Sequence, residues 1–148
     1  MQQFLSKHLA RFRRKPAAAK ELEQQRISQI EESIGRVMDE QKPFLRYGYS
    51  LNDLSRDTHI PSYQLSAFLN REMGLNFNTF LNHYRVWHCE GLIQQGLTGN
   101  ENLQVLAQQC GFGNRNSLTT AFKKFTGFTP SRYQRGWARL LDFENNDQ

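Results

Sequence analysis

LQVLAQQCGFGNRNSLTTAFKKF, residues 103–125, repeats an earlier stretch, LNDLSRDTHIPSYQLSAFLNRE, residues 51–72. Leu51, Leu54 and Ser55 are answered by Leu103, Leu106 and Ala107 at an offset of 52. Leu65, Leu69 and Gly74 are answered by Leu118, Phe122 and Gly127 at an offset of 53, so one extra residue is absorbed in the turn. Each copy reads as a short helix (51–58, 103–109), a turn (His59-Ile60-Pro61, Gly111-Phe112-Gly113-Asn114) and a second helix (62–73, 115–126). A helix-turn-helix lays its second helix in the major groove of DNA with its N-terminal residues at the base edges. Two copies in tandem therefore point to two neighbouring grooves of one duplex.

Between the copies, Phe77, Phe80, Leu81, Tyr84, Cys89, Leu92 and Ile93 mark the buried faces of a linking helix over 78–95, stopped by Gly96 and Gly99. At 1.5 Å per residue this is a rod of about 27 Å. Two reading helices on one side of a duplex sit about 34 Å apart, a separation that such a rod plus the helices it carries can hold. Asn100 or Asn102 can cap the helix that follows, and a last helix is expected over 131–140 with Pro130 near its first turn.

Upstream, Ile27, Ile30, Ile34, Val37 and Met38 form one apolar stripe of a helix over 21–41 that Pro43 stops. The stripe can pack on the following domain or pair with a second chain. It is shorter than the three or four heptads a coiled coil wants, which favours packing in cis. Residues 44–50 read as an irregular connector, with Ser50 as N-cap and Asp53 as the acid of a capping box. No useful strand alternation occurs. The expected class is all-α: two helix-turn-helix subdomains, homeodomain-like units, joined by a long linking helix, about seven helices plus an N-terminal helix. The expected division is a basic, flexible tail at 1–26, the N-terminal helix and connector at 27–48, the DNA-binding domain at 49–141 and an acidic tail at 142–148. Within that domain the first motif is 51–73, the linking helix 78–95 and the second motif 103–126.

Charge is distributed unevenly. The net is +5, but residues 1–20 hold Lys7, Arg11, Arg13, Arg14, Lys15 and Lys20 without an acid. From Gly113 to Leu141 there are again six bases (Arg115, Lys123, Lys124, Arg132, Arg135, Arg139) and no acid. Such blocks imply a polyanion, either nucleic acid or an anionic membrane surface, over the blander option of a solvated basic face. Phe4, Leu5, Leu9 and Phe12 would share one side of a helix, so residues 1–20 could lie weakly on a membrane, reach DNA as an arm or form a frayed tail. Cys89 and Cys110, the two cysteines, read as small buried hydrophobes of a reducing compartment. The N-terminus lacks the apolar run and cleavage site of a secretory signal, and the expected location is the cytoplasm.

Catalysis finds no constellation here. His83 and His88 are five apart on a helix, a spacing that does not converge on a metal, and His88 and Cys89 are adjacent and cannot face each other. Glycine loops for phosphate are absent. No enzyme, no cofactor and no metal is the expectation. The second reading helix offers Arg115, Asn116, Ser117, Thr119 and Thr120: arginine grips guanine bidentately, asparagine grips adenine, and hydroxyls reach either bases or phosphate. Lys123, Lys124 and Arg132 are expected on phosphates, where they act by releasing counterions. The first reading helix offers Ser62, Tyr63, Gln64, Ser66 and Ala67, none of them charged.

These residues resemble the AraC/XylS-type family of bacterial transcription regulators in its DNA-binding domain. Ala107, Gly111-Phe112, Leu118, Phe122-Lys123-Lys124-Phe125, Gly127, Thr129-Pro130, Tyr133 and Arg135 follow the family signature in order and spacing. Leu54, Leu65, Ser66, Gly74, Phe77, Arg85, Leu92 and Ile93 agree in the first half, and the resemblance spans about residues 50–136. It implies two subdomains that bind promoter DNA asymmetrically, with RNA polymerase as a further partner if the protein is an activator. By motif position, Tyr63, Ser66 and Ala67 face bases in the first reading helix, and Arg115, Asn116, Ser117, Thr119 and Thr120 do so in the second. Ser62 and Gln64 fall at phosphate-facing places. Ala67 stands where many relatives carry a larger polar or basic side chain, and Pro61 replaces a common serine cap. The first helix is thus expected to make few base contacts. The acidic N-terminal helix with Pro43 and the Ile60-Pro61 turn resemble a branch of the family that follows membrane-spanning or signalling segments, which implies the cytoplasmic part of a membrane-attached regulator as a second location, and monomer or dimer is left open.

Overall fold

The structure, a computed structural model, describes residues 17–96 and 102–146, with side chains to Leu140. The apolar stripe from Phe4 to Phe12 and the Gly99 and Asn100 signals lie outside the described residues. Seven α-helices and one 3-10 turn make up the described chain: α1 Ala17–Gln41, the turn Pro43–Leu45, α2 Leu51–Thr58, α3 Ser62–Glu72, α4 Phe77–Gln94, α5 Leu103–Gln109, α6 Arg115–Thr126 and α7 Pro130–Asn146. The N-terminal helix is therefore one of the seven. It is already helical at Ala17, the first described residue, where the sequence predicts a start at 21; alanines at 17–19 are strong helix formers. Residues 17–26, assigned to the tail from sequence, lie within it. At the other end α7 runs to Asn146 rather than 140, since no proline or glycine interrupts residues 137–146.

Two apolar cores divide the chain. Ile34, Val37 and Met38 of α1, Leu54 of α2, and Leu65, Phe68 and Leu69 of α3 build the first, with Phe44, Tyr49, Phe80 and Leu81. Val86, Cys89 and Ile93 of α4, Leu106 and Ala107 of α5, and Leu118, Ala121 and Phe122 of α6 build the second, with Cys110 and Phe112. The repeat thus extends one helix further back than the 51–72 stretch. Ile34 and Val86 are 52 apart, as are Val37 and Cys89, and each pair occupies the same place in its own core. The molecule is two three-helix units, α1–α2–α3 and α4–α5–α6, with α7 packed on α4 and α6. Because α4 gives its first turns to the first core and its last turns to the second, neither unit can rotate freely about it.

Capping sets the helix starts. Ser50 Oγ accepts the Asp53 N–H at 3.2 Å while Asp53 Oδ2 accepts the Ser50 N–H at 2.9 Å, a complete capping box. Asn76, Asn102 and Asn114 cap α4, α5 and α6. Pro61 begins α3 with no side-chain cap. In the first turn, Ser55 Oγ donates to the Ile60 carbonyl at 2.6 Å and Thr58 Oγ1 to the Leu54 carbonyl at 2.7 Å. These bonds explain how a polar residue can stand where the second copy has Ala107.

Candidate nucleic-acid interface

In both reading helices the core residues define the opposite face. At about 100° per residue, the row facing away from Leu65, Phe68 and Leu69 is Tyr63, Ser66, Ala67 and Asn70. Away from Leu118, Ala121 and Phe122 it is Asn116, Thr119, Thr120 and Lys123. Position by position the two rows are 53 residues apart, so the repeat superposes outward faces as well as cores. Tyr63 is 71% exposed, and its hydroxyl accepts Gln64 Nε2 at 3.0 Å. Ser66 has its carbonyl covered by Asn70 Nδ2 at 2.8 Å.

A matching clasp ties each reading helix to the helix before it. Ser62 Oγ donates to Asn52 Oδ1 at 2.9 Å, and the Arg115 N–H donates to Gln104 Oε1 at 3.2 Å. Asn52 and Gln104 correspond, as do Ser62 and Arg115. The clasps leave Tyr63 and the Arg115 side chain exposed. Ser117 and Lys124 lie on the flank of α6 toward α4, where they share a shallow groove with Thr79, Asn82, Asn116 and Thr120. Gln64 and Ala67 line the corresponding flank of α3, toward α1. Arg132 stands apart from both rows, on α7, with its guanidinium 5.1 Å from the Phe128 ring centre. Asn70, in the outward row, and Arg71, on the flank toward α1, are not among the residues expected from sequence. Their signal was the 53-residue offset to Lys123 and Lys124.

The spacing between units is held by more than α4. Arg85, in the middle of that helix, donates from Nε to the Phe44 carbonyl at 2.7 Å and from Nη2 to the Arg46 carbonyl at 3.3 Å. Its guanidinium carbon also lies 5.6 Å from the Phe112 ring centre. Burial lowers its pKa from the ordinary arginine value. Residues 43–47 therefore form a strap running from the first unit to the turn of the second. A Cβ on Gly111 would come within 2.2 Å of the Phe44 carbonyl, and one on Gly113 within 2.6 Å of the Tyr47 ring. Gly111 corresponds to His59, and both adopt left-handed φ (80° and 58°). Glycine is needed at 111 because the strap passes there, and Gly113 is the extra residue of the second turn.

The remaining reactive side chains are structural. His83 packs edge-on against Phe125 at 5.2 Å, and His88 against Phe44 at 6.0 Å. Cys89 and Cys110 are buried free thiols, and their mutual hydrogen bond, with burial, holds Cys89 well above the usual thiol range. Among the described residues no group of three or more His, Cys, Asp or Glu side chains could hold a metal ion, and no helix is long and apolar enough to cross a membrane.

A helix-turn-helix domain family matches residues 54–136, more than half of the chain. The chain belongs to the AraC-type helix-turn-helix family. Residues 54–136 are thus an AraC-type DNA-binding domain of the kind carried by transcriptional regulators, a family of regulators and not of enzymes. The chain is 28% identical over 85 residues to the probable transcriptional regulator LumQ of Photobacterium leiognathi, covering 57% of this chain and 33% of that protein. It therefore spans about a third of the length of that curated relative. Among solved structures, the C-terminal domain of the two-component response regulator yesN from Fusobacterium nucleatum superposes with a TM-score of 0.58 at 27% identity, covering 70% of this chain and 96% of that one. The DNA-binding domain of AdpA, a global transcriptional factor solved in complex with a target DNA, shares the fold with a TM-score of 0.59 at 18% identity over 74% and 94% of the two chains.

Proposed function

We propose that this AraC-type domain binds double-stranded promoter DNA sequence-specifically, with α3 and α6 in successive major grooves on one side of the duplex, and regulates transcription there. The observation that carries this reading is the correspondence of the two outward rows, Tyr63-Ser66-Ala67-Asn70 and Asn116-Thr119-Thr120-Lys123, on units held by α4 and the strap. Arg115, Asn116, Thr119 and Thr120 supply the richer base-reading set, with Ser117 at its edge; Tyr63, Ser66 and Ala67 supply a sparser one. Ser62, Gln64, Lys123, Lys124 and Arg132 take phosphates. The unequal rows make the preferred site asymmetric. AdpA's domain, of the same fold, was captured on its target DNA, which supports the class of ligand.

Selection of bound fragments from a random duplex library tests the proposal. The expected product is one site with two unlike elements about 10–10.5 base pairs apart, the spacing of successive grooves. Enrichment of no sequence, or of a single short element, would sink it.

A further inference from the structure

α7 carries a groove that neither outward row uses. Tyr133 and Trp137 turn inward: the Tyr133 ring meets Phe122 edge-on at 5.4 Å, and Trp137 Nε1 donates to the Gln94 carbonyl at 3.1 Å. At about 100° per residue, Arg132, Gly136 and Leu140 follow one another along the flank beside them, and Arg135 and Arg139 come next around the helix. With Phe128 these residues line a groove of about 440 Å³. Phe128 is 44% exposed and Leu140 57%, so both ends offer apolar surface to solvent. The charges along it are of one sign: three arginines, and no acid among the described residues that line it.

Gly136 lies midway along the groove, inside a helix, where alanine is the better former. Its backbone is not left-handed, and a Cβ there would meet nothing within 4 Å. Neither the backbone nor packing among the described residues asks for glycine. Its effect is to keep the floor of the groove low, so that another chain can approach closely. The groove also lies behind the reading helix. α7 packs on Phe122, on the core face of α6, opposite to the row Asn116-Thr119-Thr120-Lys123. A duplex held by that row leaves the groove uncovered. We propose that it docks an acidic amphipathic helix of a partner protein. The apolar stripe of that helix lies over Gly136 between Phe128 and Leu140, and its carboxylates meet Arg135 and Arg139. The stretch from Pro130 to Leu140 is about 15 Å of helix, which matches a partner of about three turns. Arg132, stacked on Phe128 at the end nearest α6, keeps its place on phosphate.

The test uses the full chain and two synthetic helical peptides of about 14 residues. One has leucines at i, i+3, i+4 and i+7 with glutamates beside them; the other has lysine for each glutamate. Fluorescence anisotropy should show binding of the glutamate peptide alone, with amide shifts confined to residues 128–140. Arg135→Gln with Arg139→Gln should weaken it about three- to thirtyfold, the worth of two exposed ion pairs. Gly136→Leu, which fills the floor, should weaken it at least about tenfold, and Gly136→Ala controls for helix stability. Failure of the glutamate peptide to bind, equal binding of both peptides, or unchanged affinity in the double arginine variant overturns the proposal. So does a double variant whose duplex affinity loses about one or two units of salt slope, since its arginines then lie on phosphates. So does a parent dimer that Gly136→Leu splits in sedimentation, which makes a second copy the occupant. The peptide measurements need no duplex, so failure of the DNA-binding reading leaves them standing.

Discussion

Arg85 Nε and the position that a Cβ on Gly111 would take converge on one atom, the carbonyl oxygen of Phe44, at 2.7 Å and 2.2 Å. The hydrogen bond draws the strap onto the linking helix, and the glycine leaves it room to pass the second turn. Gly127, also at φ 80°, has nothing within 4 Å of its Cβ position. Gly127→Ala should therefore cost about 1 kcal/mol, the backbone penalty alone. Gly111→Ala adds a clash with backbone and should cost about 3 kcal/mol or more. Urea unfolding of the two variants checks this, and equal losses would mean that the strap gives way without cost.

The surroundings of His88 favour its neutral form. Burial first, and the nearby Lys42 charge second, lower its pKa from the usual 6.5. Its folded pKa lies below its unfolded one, so its contribution to stability is complete above pH 6.5 and is lost as pH falls through the folded value. NMR titration should place its midpoint below 6.5, and Lys42→Gln should move it part of the way back. A midpoint at or above 6.5 in the parent chain contradicts the assignment.

Both motifs, the linking helix and the outward residues were legible in sequence because each leaves a side-chain signature at fixed spacing. Leu54 and Leu106, or Leu65 and Leu118, are the same residue type doing the same work. The equivalence of α1 and α4 was not legible, because Ile34 and Val37 are matched by Val86 and Cys89, similar in burial but different in identity. The strap read as an irregular connector for another reason. Its anchors are the Phe44 and Arg46 carbonyls, bonded to Arg85 at 41 and 39 residues' separation, and backbone acceptors leave no trace in composition. Asn70 was not legible because it is uncharged where its counterpart Lys123 carries a cation, and an asparagine late in a helix has no signal of its own.

Ser50 and Asp53 close the capping box of α2, and their bonds, with the Ser50 side chain foremost, hold the Asp53 carboxyl below its usual pKa. Ser50→Ala removes the hydroxyl that caps the Asp53 N–H and should cost about 1 kcal/mol. The same titration that follows Asp53 should then show its midpoint rising toward the ordinary carboxylate value. No change in either quantity would mean that water caps the helix equally well.

Arg115 and Lys123 both lie on α6 and both are exposed, yet they should fail in different ways when truncated. Arg115 sits at the first turn, where its fork can reach the edge of a guanine, so Arg115→Ala should cost about 1–3 kcal/mol at one base position and relax the preference there. Lys123 sits two turns on, in the last turn of α6. Lys123→Ala should weaken binding almost equally on all sequences and lower the salt slope by about one unit. Binding measured on the selected site, on each single-base variant of it and across a salt series separates the two. A uniform loss for Arg115→Ala would remove it from base reading, and an unchanged slope for Lys123→Ala would remove Lys123 from the phosphates.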